Sequence, residues 1–421
     1  MNKLRNIYSK NKKILADFFW RSLQIFGREG TSFFAFIIVS NLLIPEELSL
    51  YTYVSSIALL IIRFCDFGIS GSTSKYTAEL KETDEKKIES LIGGMVSLLG
   101  LIVVFACVFV IVLGDTLFPE AEGFLLYLLP LLILSPFFYL YEGVLRGLRK
   151  FKLVAIVSFG TGILTLLLSY FLIAKFDLVG AFISQNIQYL LLVGILFFYV
   201  GKISFKFDKE LIKNVLKYAF VIGLANVGLY LYTRADVILL GQGGFLEYVS
   251  YYEVSNKIFM IILLPSTILG TVVAPRITAK FAKNKFNGMI KDLKTKVVGM
   301  FLLGFFCSLI IYLFLPLIIK LVFSQYDFEL VRQFIIILLI LLPFRYVSSF
   351  LTTGYITSSG YARISAYPLL AWGVVNVLLG YFLIRRFGYI GVMYATLISQ
   401  VGFMLTKDGW FILKVLSKIE K

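Results

Sequence analysis

Residues 168–181 read LSYFLIAKFDLVGA, and residues 379–392 read LGYFLIRRFGYIGV. Tyr-Phe-Leu-Ile, a cation, Phe and Gly align without a gap at an offset of 211, half of the 421-residue chain. Gly143 and Gly354, Lys152 and Arg363, and Ala155 and Ala366 keep that offset, and SKYTA at 74–78 returns as PRITA at 275–279, offset by 201. Chance matches of Leu and Phe are common in so apolar a chain, but YFLI with matched flanks is not one of them. The chain is built as two similar halves.

Outward from the repeat, the chain divides into twelve apolar segments: 17–40, 49–72, 90–113, 123–145, 153–174 and 178–200, then 216–240, 252–275, 297–319, 331–354, 365–384 and 391–413. Each approaches the roughly 20 residues that cross a bilayer as a helix. Composition agrees: 59% of residues are hydrophobic and 16% charged, against about 25% charged in soluble domains. Mean hydropathy is +0.88. The expected fold is an all-α polytopic membrane protein of about twelve transmembrane helices in two parallel six-helix halves. Halves with an even number of spans are related by an axis along the membrane normal; transporters built so bind substrate between the halves and rock them to alternate access. The expected organisation is a basic N-terminus at 1–16, a six-helix bundle at 17–200, an amphipathic linker at 201–215, a second bundle at 216–413 and a tail at 414–421. The first apolar run holds Arg21 and Arg28 and lacks a small-residue cleavage site, so it reads as a retained helix.

Lysine and arginine sort the loops. With the N-terminus in the cytoplasm, the inside segments carry 29 Lys/Arg and the outside loops five (Lys175, Lys320, Arg332, Arg385 and Arg386). That asymmetry is the positive-inside rule. Most of the net charge of +16 is thereby a topology signal, not a nucleic-acid footprint. The basic stretch at 276–296 reads as a contact with anionic membrane lipids. In KFDKELIKNVLKY, at 206–218, Leu211, Ile212, Val215, Leu216 and Ala219 recur at helical spacing opposite lysines, the pattern of an interfacial helix.

Little is left for catalysis. There is no histidine, which removes Ser–His, His-relay and His-ligated zinc chemistry. Cys65, Cys107 and Cys307 lie inside apolar runs, without metal-ligand or disulfide spacing. No cofactor is expected, and the chain reads as no enzyme.

The informative residues are charges inside the spans, because an ionisable group at bilayer depth costs at least ~2.5–3.5 kcal/mol if it faces lipid. In DFFWRSLQIFGREGTSFFAFIIVS, at 17–40, Arg28 and Glu29 sit near the middle. Arg63 and Asp66 are three apart on one face and could neutralise each other. Glu142 with Arg146, and Glu253 with Lys257, have i, i+4 spacing and read as local pairs. Lys407 reads as able to snorkel. Arg28 and Arg234 have their acidic neighbours on other faces, and Arg345, after Pro343, has none within a turn. Arginines without local partners make a cationic path suited to an anion, since the guanidinium fork matches phosphate oxygens. The candidate substrate-binding residues are Arg28, Arg63, Arg234, Arg345 and Lys257. If protons or sodium couple, Glu29, Asp66 and Asp236 are the carboxylates in reach. Tyr230, Tyr232, Tyr248, Tyr251 and Tyr252 are candidate stacking surfaces for sugar rings.

Several stretches together resemble a family: PEELSLYTYV, FCDFGISGSTSKYTAEL, GVLRGLRKFKLVA, YTRADVILLG, YYEVSNKIF with LPSTILGTVVAPRITA, and FGYIGVMYATLIS. Their order and placement are similar to those of polysaccharide repeat-unit flippases, the Wzx type of the multidrug/oligosaccharidyl-lipid/polysaccharide exporter superfamily. The resemblance implies two V-shaped six-helix bundles around a central cationic cavity in a bacterial inner membrane, with both termini cytoplasmic. It implies translocation of an undecaprenyl-pyrophosphate-linked oligosaccharide, an O-antigen or capsule unit, to the outer leaflet. A polysaccharide polymerase and a chain-length regulator are the protein partners it suggests. By span and character, the family's cavity arginines correspond to Arg28, Arg63, Arg234 and Arg345. A drug or cation exporter of the same superfamily shares the topology, but would need unpaired carboxylates facing its path. A membrane-embedded polymerase or glycosyltransferase would need a substantial extramembrane loop, and no outside loop here exceeds about a dozen residues.

Overall fold

The computed structural model describes residues 30–204, 208–282, 289–361 and 363–414. Arg28, Glu29, the segment 1–16 and the tail from 415 lie outside the described residues. The described elements are helical: α1 (Gly30–Leu42), then α2 (Pro45–Asp66), α3 (Ile69–Thr83), α4 (Lys87–Leu117), α5 (Leu129–Gly147), α6 (Phe151–Val200), α7 (Lys209–Gln242), α8 (Val249–Ala282), α9 (Met289–Val322), α10 (Phe328–Leu351), α11 (Arg363–Phe387) and α12 (Gly391–Lys414). Among the described residues, nine continuous helical stretches are long and apolar enough to cross a membrane, and α1 is a shorter apolar helix. Two of the nine, Phe151–Val200 and Arg363–Leu413, have 50 and 51 residues, more than twice the roughly 20 that one pass needs. Counted as two passes each, and joined by α1, these stretches follow the twelve apolar segments of the sequence. The chain is an all-α, multi-pass membrane protein.

The two long stretches are the internal repeat made physical. Asp177 interrupts α6 with φ 47°, and Gly388, 211 residues later, has φ 64°. After each break the chain folds back so tightly that only glycine fits. A Cβ on Gly180 would collide with the Leu172 carbonyl, and one on Gly391 with the Leu383 carbonyl. Both pairs are again 211 apart. A second equivalence joins α3 to α5 and α8 to the turn after α10: Gly143 lies against the Ser70 carbonyl, and its counterpart Gly354 against the Gly270 carbonyl.

The most apolar helices are the least buried. In the most apolar windows of α4 and α9 only 17% is buried, with Phe105 68% and Leu321 71% exposed. Such faces suit lipid. Where the solvent is hydrocarbon, burial of apolar surface drives little, and helices associate by close packing of small residues. The glycines do this here: Gly147 meets Ser74 and Thr77 between α3 and α5, and Gly373 of α11 meets the Gly228 carbonyl of α7.

The chain groups into two compact units, Met1–Val227 and Gly228–Lys421, which divide within α7. In the first unit Met95, Leu99, Val144, Leu145 and Leu196 form a common core with Val215 and Ala219 of α7. In the second, Phe350, Leu351, Tyr355 and Ile356 pack with Ile277 and Phe411. Within the described residues the amphipathic stretch is not a helix of its own. No glycine or proline interrupts it before Gly223, so from Lys209 it runs unbroken into α7. Asp208 starts that helix by accepting from the Leu211 N–H at 3.0 Å, with Lys87 at 3.5 Å. This N–H, and then the Lys87 charge, hold the Asp208 carboxyl below its ordinary range. The cap is therefore complete at neutral pH and is lost only as pH falls through that lowered value.

The packing glycines give a stability test. Gly143→Val, which drives a branched side chain into the Ser70 carbonyl, is expected to destabilise by about 1–3 kcal/mol and to lower the melting temperature in detergent. Gly100→Val, on a part of α4 with open space around it, leaves melting unchanged. Equal melting of the two variants would contradict this packing.

Candidate functional site: the buried charges of each unit

In the first unit, Arg63 is half-buried on α2 and lies over the Tyr139 ring of α5 at 5.1 Å. It forms no close ion pair with Asp66, though its charge acts on that carboxylate. Asp66, 1% exposed, accepts instead from the backbone N–H and hydroxyl of Ser70, both at 3.0 Å. The cause is the break between α2 and α3 at Phe67–Gly68, with φ of 27° and 80°, which brings the first turn of α3 onto the carboxylate. Gly68 is needed there because a Cβ would strike the backbone of Ala219 and Gly223 in α7. Glu142 and Arg146 form the expected i, i+4 pair at 3.7 Å. Arg63 has no ion pair among the described residues.

In the second unit, Arg234 is not the free cation that its own helix suggests. Its guanidinium donates to both oxygens of Glu253 on α8, at 2.9 and 2.8 Å. Lys257 approaches the same carboxylate at 3.7 Å. Glu253 is 3% exposed and has two cations beside it, so its ionised form is well compensated. The turn between α7 and α8 creates this pair from residues 19 positions apart, and no helical spacing could reveal it.

Asp236 lies on the same helix, 1% exposed. It accepts from Tyr252 Oη at 2.7 Å, Asn376 Nδ2 at 2.9 Å and Thr396 Oγ1 at 2.9 Å. Four helices, α7, α8, α11 and α12, thus converge on one carboxylate. The Asn376 Oδ1 is buried without a partner among the described residues. A carboxylate beside a spare amide oxygen and a threonine hydroxyl can hold a proton or a small cation.

Arg345 on α10 has a different fate. It donates to Tyr232 Oη at 3.0 Å and lies 5.8 Å from the centre of that ring. It makes no ion pair among the described residues, and its Nε is buried without a partner. Lys407 does not snorkel. It is 1% exposed, ion-paired to Asp408 at 3.2 Å, and donates to the Ser348 carbonyl at 3.2 Å, the Ser348 hydroxyl at 2.7 Å and the Thr352 hydroxyl. Sequence reasoning missed this site because its acceptors come from α10, more than fifty positions away.

The tyrosines proposed as sugar platforms are mostly engaged within the protein. Tyr252 serves Asp236 and Tyr232 serves Arg345. Tyr248 stacks on Tyr389 at 3.9 Å with an 8° interplanar angle, and Tyr251 meets Tyr326 edge-on. Arg28 and Glu29 lie outside the described residues. No group of three His, Cys, Asp or Glu residues arranged for a metal occurs among the described residues.

A family signature described as polysaccharide biosynthesis protein matches residues 14–281, and one described as MatE matches residues 183–382. The chain is similar to an uncharacterized membrane protein, MJ1375, of Methanocaldococcus jannaschii, with 24% identity over 402 residues, covering 90% of this chain and 92% of the relative. Among solved structures, the lipid II flippase MurJ in an inward closed conformation superposes with a TM-score of 0.76 at 17% identity, over 96% of this chain and 89% of MurJ. The inward-facing conformation of a multidrug resistance MATE family transporter of the MOP superfamily gives 0.71 at 17% identity, over 96% of this chain and 99% of the transporter. The chain shares the fold of these transporters.

The Glu253 cluster carries its own test. Glu253→Gln removes the carboxylate that Arg234 and Lys257 share, and breaking such a buried pair costs about 3–5 kcal/mol. The variant is expected to melt well below the wild type in detergent, and Arg234→Met/Glu253→Gln to recover part of the loss. Wild-type melting of Glu253→Gln would mean that the cluster is not a compensated buried site.

Proposed function

The chain belongs to the polysaccharide biosynthesis protein family, and from that premise we propose that it is a flippase, not an enzyme. Its substrate in this reading is an undecaprenyl-pyrophosphate-linked oligosaccharide, an O-antigen or capsule repeat unit, carried from the cytoplasmic to the outer leaflet of a bacterial inner membrane by alternating access. The observation that carries the reading is made once in each unit, at Arg63 in the first and at Arg345 in the second. Both are cations within membrane-spanning helices that lie against tyrosines and form no close ion pair among the described residues, with Asp66 and Asp408 only within longer electrostatic reach. A cation at that depth without a direct ion pair is expensive, and a pyrophosphate offers one in the geometry a guanidinium prefers. Arg28, in the first apolar segment of the sequence, is a further candidate. Arg234 and Lys257 contribute less, because Glu253 already takes both.

An outward-moving pyrophosphate with about two negative charges descends an inside-negative potential, which at 100 mV supplies roughly 4–5 kcal/mol. Potential alone can therefore drive the cycle. If protons or sodium also couple, Asp236 is the carboxylate best built for it, with Asp66 and Glu29 as further candidates. A polymerase and a chain-length regulator would take the product at the outer surface.

The buried Asp236 network and the MatE match support a second reading, a cation or drug exporter that uses Asp236 as its cation site. Reconstitution separates the two. In proteoliposomes with an inside-negative potential, wild type is expected to move a fluorescent polyprenyl-pyrophosphate oligosaccharide between leaflets. Arg345→Ala and Arg63→Ala are expected to slow it at least about tenfold, since a charge-assisted contact is worth ~1.5–3 kcal/mol, with partial rescue by Arg345→Lys. Asp236→Asn is expected to remove any dependence on a proton or sodium gradient while leaving potential-driven flipping. Clearance of a cationic dye by vesicles that do not flip the lipid would establish the exporter instead.

A further inference from the structure

Lys407 is the charged side chain for which the proposed transport has no use. Its ammonium has three N–H donors, and around it stand the Ser348 carbonyl, the Ser348 and Thr352 hydroxyls and Asp408. It is saturated and has nothing left to offer a ligand. A leucine at this depth would cost far less. The position of Lys407 is built, however: Arg345 and Ser348 of α10 and Thr352, the first residue of the π-helical turn that follows it, are spaced i, i+3, i+7. Turns of that kind concentrate at functional sites.

What Lys407 holds is Asp408. That carboxylate has a side chain 15% exposed, and Arg345 is within electrostatic reach of both Asp408 and Lys407. The other titratable neighbours are Tyr232, whose hydroxyl Arg345 already uses, and Asp236, one turn along α7. Take away the ammonium, and Asp408 becomes a nearly buried charge whose remaining cation is Arg345. An uncompensated buried charge is costly enough to recruit such a partner. Arg345 would then be quenched as Glu253 quenches Arg234.

We propose that Lys407 is a positioning residue: by holding Asp408 on itself, it keeps the Arg345 guanidinium free of carboxylate and open to the phosphate oxygens of the substrate. The proposal rests on the reading of Arg345 as a pyrophosphate ligand, and the test separates the two. Purified full-length protein is treated with phenylglyoxal, and modification of Arg345 is followed by mass spectrometry of its peptide, with and without inorganic pyrophosphate. Lys407→Met is expected to slow Arg345 modification at least about fivefold, the range of a coupling between neighbours. Asp408→Asn is expected to react like wild type, and Lys407→Met/Asp408→Asn to return to the wild-type rate.

Removal of both charges together also keeps the test alive if Lys407→Met alone does not fold, since the double variant carries no unpaired charge. Slow modification in the double variant, or a wild-type rate in Lys407→Met, would overturn the positioning role. A merely structural lysine gains nothing from loss of Asp408. Failure of pyrophosphate to protect Arg345 in wild type, with the variant pattern intact, would instead overturn the substrate reading and leave the role of Lys407 standing.

Discussion

A charge in an apolar surrounding must be answered by another charge, by dipoles or by a ligand, and the interior of each unit is arranged around that requirement. Asp66 is answered by Ser70, Asp236 by three side-chain donors from three helices, Glu253 by Arg234 and Lys257, and Lys407 by Asp408 and α10. Four of the buried ionisable groups are thus closed within the protein. Among the described residues Arg63 and Arg345 differ: no close ion pair closes either, and they are faced by aromatic rings and a phenol. Cation–π contact and one neutral hydrogen bond compensate less than an ion pair does. The difference between closed and open charges is what turns a stable helical scaffold into a candidate anion carrier.

The scaffold obeys a related rule. With little hydrophobic drive between helices in lipid, close approach of backbones has to hold the bundle. Gly143 on Ser70, Gly180 on Leu172 and their counterparts Gly354 on Gly270 and Gly391 on Leu383 are the contacts that do so in each half. They also position the charges. The Gly68 break that lets α3 fold against α5 and α7 is the same break that delivers Ser70 to Asp66.

Much of this was legible in the sequence, for reasons that differ by residue. The repeat was readable because two halves under the same steric demand keep glycine at the same places, as at 180 and 391. Spans were readable because lipid imposes a length and a composition. The pairs Glu142–Arg146 and Glu253–Lys257 were readable because helical spacing alone brings them together. Arg234–Glu253 was not, because its geometry belongs to the packing of two helices. Lys407 was misread for the same reason: a long cation near a span end suggests a route outward, and only the fold reveals Ser348 and Thr352 waiting inward. The amphipathic stretch at 206–218 shows the opposite error, in which local amphipathicity was read as a helix of its own although nothing in the chain stops α7 from continuing.

The central claim is that the guanidinium of Arg345 is open to a pyrophosphate while that of Arg234 is closed by Glu253. Native mass spectrometry of the purified protein with a polyprenyl pyrophosphate, and with the matching polyprenol, addresses it directly. The account predicts a pyrophosphate-specific adduct that persists in Arg234→Met and is lost in Arg345→Met. An adduct that survives Arg345→Met, or one formed equally by the uncharged polyprenol, would contradict it.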